Sequence, residues 1–311
     1  MKRIACMLLT FGLLLSGCSA GAQREEARLV FTDDLGREVR LDAEPKRVAC
    51  LLGSFAEIWY LAGGEVIAAP EDAWEDFELP LSEDAVTLGT GKRPSMELLL
   101  AAEPDFIIAS TNIQQQMQLQ DTLEATGIPT AYFGVSDFGD YLRMLKLCTD
   151  ITGRADLYEQ NGTAVQAQID EALACAADKI GETGEAPTVL CMRLSASGVR
   201  IKNSQDNVLG EMLASLGCVN IADSDEVPLE NIGMEHILLS DPDYIFMVQM
   251  GDDTEGAQEA LEAFIRDNPG WQTLTAVREG RVFTMDKRRY NLKPNALWGE
   301  AYGDLVELIW P

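Results

Sequence analysis

His236 is the single histidine of the chain, and that count bears on every kind of catalysis the sequence could support. Catalytic zinc sites draw on several imidazoles, and a Ser-His-Asp arrangement would have to pass through this residue alone. His236 follows Glu235 at what reads as a helix start, Gly233-Met234-Glu235-His236, which fits a structural or surface role. Cys50, Cys148, Cys175, Cys191 and Cys218 form no Cys-x-x-Cys pair, and several sit in apolar contexts, so they read as buried free thiols. Gly89-Thr90-Gly91-Lys92 misses the phosphate-loop spacing and is followed by Arg93 where Ser or Thr is needed. No predicted loop pairs two carboxylates with a nucleophile, which leaves an enzyme as a remote reading. Cations are different: Lys287-Arg288-Arg289-Tyr290-Asn291-Leu292-Lys293 puts four of them in seven residues.

That cluster stands in a chain of net charge -27. Nucleic-acid binding needs a basic footprint, so this balance excludes that class. Charges more than about 8 to 10 Å away are largely screened, so the local sign of 287–293 dominates its surroundings. The competing reading is a solvated loop that balances an acidic lobe.

The first residues point to a location. Lys2 and Arg3 precede an apolar run that is too short to span a bilayer, and Leu15-Ser16-Gly17-Cys18 closes it. This resembles a lipoprotein signal: 1–17 is removed and Cys18 becomes the lipidated first residue, followed by a flexible spacer through residue 28. Loss of Lys2 and Arg3 takes the charge from -27 to -29. The expected protein is extracytoplasmic, lipid-anchored to the cell membrane and monomeric.

The elements that must position the candidates alternate. A hairpin over 30–41 has its turn at Asp33-Asp34-Leu35-Gly36. Val48-Ala49-Cys50-Leu51-Leu52 then reads as a strand buried on both faces. Helices follow at 56–62, 94–102 and 114–125, with strands at 105–109 and 129–133. A second series begins after Pro187, with strands at 188–193, 244–248 and 281–284 and helices at 207–216, 234–239, 256–267 and 295–309. Alternating strands and helices predict parallel α/β architecture in two similar halves, residues 29–154 and 181–311. Between them 155–180 has no Pro and many helix formers, which predicts one rigid helix; a break at Asn161-Gly162 is the alternative.

The order of these segments resembles the substrate-binding proteins of iron-complex, haem and cobalamin ABC importers. Thr32-Asp33-Asp34-Leu35-Gly36-Arg37, Met96-Glu97-Leu98-Leu99, Leu239-Ser240-Asp241-Pro242-Asp243-Tyr244 and Asn268-Pro269-Gly270-Trp271 carry the likeness. It implies two Rossmann-like α/β lobes joined by one long rigid α-helix, a ligand cleft between them, and little hinge motion. It also implies that Glu97 and Glu235, one per lobe, dock onto a permease dimer. Ligands of such proteins are large, partly aromatic and often anionic, so the cleft should offer cations and flat walls. The candidates are Ser54, Phe55, Trp74, Lys92, Arg93, Asn112, Arg193, Arg288, Arg289, Tyr290, Lys293 and Trp298. No resident cofactor or metal is expected; a ferric siderophore is the leading ligand and haem or a corrinoid the alternative.

Overall fold

The structure is a computed structural model that describes residues 29–205, 207–223, 228–229 and 232–311. Cys18, the leader and the spacer lie outside the described residues.

Val48–Cys50 and Phe106–Ser110 are buried along their whole length, as strands covered by helices on both faces must be. They form the centre of a five-stranded parallel sheet in the order Val86–Thr87, Val66–Ala69, Val48–Cys50, Phe106–Ser110, Thr130–Phe133. In the second lobe Thr188–Ser195 is central. It pairs in parallel with Tyr244–Gln249 and Val219–Asn220, and antiparallel with Gly198–Lys202, while Val282–Met285 closes the far edge.

The two halves repeat one local device. Helix Met96–Ala101 leads through Glu103-Pro104-Asp105 into its strand, and helix Met234–Ser240 leads through Asp241-Pro242-Asp243 into the other. Glu103 and Asp241 both take positive φ, +49° and +38°. Asp105 then accepts the backbone N–H groups of Lys46 and Arg47 at 2.8 and 2.9 Å. Asp243 does the same for Thr188 at 2.8 Å, so each carboxylate fixes the start of the neighbouring strand.

The expected crossing helix is continuous but not uniform. Ala155–Tyr158 passes through a widened π-helical turn, Glu159–Thr163, into Ala164–Thr183. Asn161-Gly162, the alternative breakpoint, is that wide turn. Asn161 donates its side-chain amide to the Leu61 carbonyl at 2.9 Å, and its own carbonyl accepts the Tyr141 hydroxyl at 2.8 Å. The pattern Val165, Ile169, Ala172, Ala176 then turns one stripe inward against the last helix, Trp298–Ile309. At about 1.5 Å per residue this stretch spans roughly 30 Å. The apolar cluster that spans both lobes runs from Phe55 and Ile58 through Tyr141, Val165 and Ile169 to Leu213, Trp298 and Leu305, and each lobe adds a cluster of its own on the other face of its sheet.

A polar seam ties the lobes a second time. Arg288 pairs with Glu57 at 2.5 Å, with both side chains largely enclosed, and its guanidinium lies 4.3 Å from the Phe77 ring centroid. Asn295 donates to the Ser54 carbonyl at 2.9 Å and to Glu57. Lys287 reaches Asp76 at 2.7 Å and Asp252 at 2.6 Å. Two cations of the basic segment, Lys287 and Arg288, are therefore committed to holding the lobes together.

Removing one partner of an enclosed ion pair strands the other charge. Arg288→Ala should cost roughly 3 kcal/mol in urea unfolding, while replacing Arg288 and Glu57 together by apolar residues should recover most of it. Burial raises the Glu57 carboxyl above its usual range, with Arg288 and Asn295 pulling the other way. Within the window between its unfolded and folded values the native state binds more protons, so Glu57 makes stability fall as pH rises. Glu57→Gln should flatten that slope, which parallel unfolding curves just above the ordinary glutamate range will show.

Candidate functional site

In open parallel sheets, ligands bind beyond the C-terminal ends of the strands. Here those ends face each other. The Lys287–Asp76 pair joins the loop after Val282–Met285 to the one after Val66–Ala69. Lys293 senses Asp140 from the first lobe and Glu211 from the second.

The first lobe offers Lys92 and Arg93 on a hairpin whose strands are Gly89–Thr90 and Arg93–Pro94. Both side chains are exposed, and neither has a carboxylate partner among the described residues. Asn112 is also exposed, with its amide tied to the Val135 carbonyl at 3.1 Å and the Ser136 hydroxyl at 3.3 Å. Trp74 stands half-buried on the short helix Asp72–Glu75. From the second lobe Arg193 lies level with Val248 and Met285, at the end of its sheet. It is half-buried without a partner among the described residues, and burial lowers its guanidinium pKa. Lys293 is held down in the same way, with Asp140 and Glu211 opposing.

The other candidates lie elsewhere. Phe55, Tyr290 and Trp298 were expected on the cleft walls but are enclosed, at 0, 3 and 3 % exposure. Tyr290 donates its hydroxyl to the Ala301 carbonyl at 3.0 Å, and Trp298 packs edge-on against Phe138. Ser54 is buried beneath the seam, where its carbonyl receives Asn295. Arg288 is taken by Glu57, and Arg289 by Glu300 and Asp304 on the last helix. Local sequence showed the cations but not the distant carboxylates that occupy them. Absent from the candidates is Gln116, which is fully buried and hydrogen-bonded to Leu51, Gly91 and Ser110.

Glu97 and Glu235 occupy the same register, second in their helices. Leu99 and Ile237 beneath them are fully buried, whereas Leu100 and Leu238, three residues after each glutamate, are exposed. Leu239 is 86 % exposed. A helix that feeds a parallel strand runs opposite to it, so both carboxylates start near the edge where the cleft opens. His236 sits beside Glu235 with Nε2 3.2 Å from the Ile221 carbonyl, consistent with a structural role.

Two α/β lobes, one crossing helix and a cleft between facing strand ends define a two-lobed binding protein. Residues 48–289 match the periplasmic binding protein family, and the chain belongs to it. The Fe(3+)-citrate-binding protein YfmC of Bacillus subtilis is 25 % identical over 304 residues, covering 92 % of this chain and 90 % of that one. A putative ABC transporter substrate-binding lipoprotein of the same organism, YhfQ, is 23 % identical, covering 99 % of this chain and 97 % of its own. Among solved structures, Staphylococcus aureus SirA complexed with staphyloferrin B superposes with a TM-score of 0.67 at 19 % identity, covering 91 % of this chain and 97 % of that one. Members of this family bind substrates for transport and are not enzymes.

The half-exposed Trp74 and the enclosed Trp298 separate two optical signals. Trp74→Phe should remove most of any ligand-dependent fluorescence change. Trp298→Phe should leave that change in place and lower the thermal midpoint, because it removes a packed ring from the shared core.

Proposed function

We propose that this protein captures a ferric complex of an anionic, oxygen-rich chelator in the inter-lobe cleft and delivers it to an ABC permease. The observation that carries this reading is the set Lys92, Arg93 and Arg193, cations without carboxylate partners on facing strand ends of a chain of charge -27. Among the described residues most other cations are paired with carboxylates, and these three are open to an anion. Arginine forks suit carboxylate and catecholate oxygens, and partial burial of Arg193 strengthens its attraction for an anion.

Among the described residues no group of three His, Cys, Asp or Glu is arranged to hold a metal ion. That favours iron arriving already chelated. The names of YfmC and SirA's ligand, ferric citrate and staphyloferrin B, point to the same chemistry. Haem or a corrinoid is the second reading. Met250, exposed beyond the strand Tyr244–Gln249, is the side chain that keeps it open as an axial ligand.

Delivery runs through Glu97 and Glu235, each with an exposed leucine beside it, docking onto the two permease subunits. Exposed ion pairs contribute roughly 0 to 1 kcal/mol each, so they set register more than affinity. Anchoring through lipid on Cys18 keeps the protein at the membrane surface, a reading supported by the naming of YhfQ as a lipoprotein.

Intrinsic fluorescence titration with ferric citrate, ferric staphyloferrin B, haem and cobalamin tests the ligand. We expect one-to-one binding of a ferric chelate, weakened at least tenfold by Arg193→Ala and by Lys92→Ala/Arg93→Ala, with a shallower salt dependence in both variants. Undiminished affinity in the variants, or a preference for haem, would overturn the reading. Separately, Glu97→Arg/Glu235→Arg should abolish uptake in cells while leaving ligand affinity unchanged; lost ligand binding would remove the docking assignment.

A further inference from the structure

Gln116 lies on the short helix Gln114–Met117 with no exposed surface, and its amide is divided among three loops. Nε2 donates to the Leu51 carbonyl at 2.6 Å and the Gly91 carbonyl at 2.8 Å. Oε1 accepts the Ser110 N–H at 2.7 Å. Two carbonyls on one side and an N–H on the other leave only one consistent orientation of the amide.

The three partners are the joints of the first lobe's half of the cleft. Leu51 begins the loop after Val48–Cys50, and Gly91 is the tip of the hairpin that carries Lys92 and Arg93. Ser110 ends its strand, and its hydroxyl accepts the Asn112 N–H at 3.1 Å. The hairpin itself is minimal, held by two residue pairs and by Glu71 N–H on the Gly89 carbonyl. It also lies close to the neighbouring loop: a Cβ at position 91 would stand 3.2 Å from Leu52 Cδ1 and 3.5 Å from the Leu51 carbonyl oxygen.

We infer that Gln116 is a positioning residue of the ligand site. It locks the Lys92–Arg93 hairpin against the loops of Leu51 and Asn112 without touching the ligand. The inference rests on the reading that these cations receive an anionic complex. The physical reason for a buried amide is that the Leu51 carbonyl is fully enclosed and Gly91 partly so, so losing the donor leaves a buried acceptor unpaired and frees the hairpin from the loops it is tied to.

The test is a double-mutant cycle on the full chain, with ferric citrate as the probe and tryptophan fluorescence as the readout. Gln116→Met keeps the volume and removes donor and acceptor alike. Gln116→Glu keeps the shape but sets a carboxylate oxygen against the two carbonyls. Each should weaken binding about tenfold in the wild-type background and less than twofold in Lys92→Ala/Arg93→Ala. Each should add its full tenfold to the loss from Arg193→Ala on the opposite lobe. If either variant folds poorly, Gly91→Ala displaces the same hairpin from its other side and should show the same coupling. An equal loss in all backgrounds, or a lower thermal midpoint with affinity unchanged, would make Gln116 merely structural and overturn the inference. Wild-type affinity in Lys92→Ala/Arg93→Ala alone would instead remove the ligand reading on which it rests.

Discussion

Glu57 is the point on which the relation of the two lobes depends. Its carboxylate, carried on the first helix of one lobe, receives Arg288 and Asn295 from the other in a nearly enclosed setting. Burying it has a cost, visible in its raised pKa, and the Arg288 charge and the Asn295 amide offset that cost. An ion pair so placed adds little net stability and fixes one geometry. Together with the crossing helix and the shared core, it gives the lobes one defined arrangement in which their strand ends face each other. Everything proposed for the ligand follows from that facing.

Charge organises the remaining surface. A chain of net charge -27 has carboxylates to spare for its cations, and among the described residues most are neutralised: Arg37 by Asp33 and Glu124, Lys146 by Asp150, Arg289 by Glu300 and Asp304. Against that background a cation without a carboxylate is informative. Lys92 and Arg93 on one hairpin and Arg193 near the end of the strand Thr188–Ser195 are far apart in sequence and share their place toward the strand ends. In the proposed function their field is what an arriving anion meets, whereas that of Arg288 is already taken by Glu57.

This contrast separates what was legible in the sequence from what was not. Alternating short apolar runs and amphipathic helices revealed two parallel-sheet lobes, because strands buried on both faces must be apolar throughout. Glu97 and Glu235 were legible as equivalent positions because each lies in the helix that precedes an apolar strand of its half. The crossing helix was visible from its composition, but the π-helical turn was not, since it depends on Leu61 and Tyr141 reaching Asn161 from elsewhere. The cluster 287–293 was conspicuous as charge, yet its partners Glu57, Asp76 and Asp304 lie up to 231 positions away, and local patterning does not encode such pairings. Tyr290 and Trp298 looked like cleft walls for the same reason: an aromatic ring beside cations reads alike whether it meets a ligand or a core.

The last step concerns rigidity. Asn295 is fully buried in the left-handed region at φ +55°, and its side-chain oxygen has no hydrogen-bond partner. A non-glycine residue persists there only because its surroundings over-determine it. What holds it is the bidentate reach of its amide to Ser54 and Glu57 across the lobe boundary. The chain thus accepts an unusual backbone conformation and an unpaired oxygen at the seam to keep the lobes in register, while Gln116 ties loops together inside the first lobe with its amide fully paired. Both devices spend conformational freedom before a ligand arrives. In a protein that must take a dilute complex from solution, ordering cost already met in the free state is cost not subtracted from binding. That is why buried amides, rather than the exposed cations alone, belong to the account of how this fold recognises its cargo.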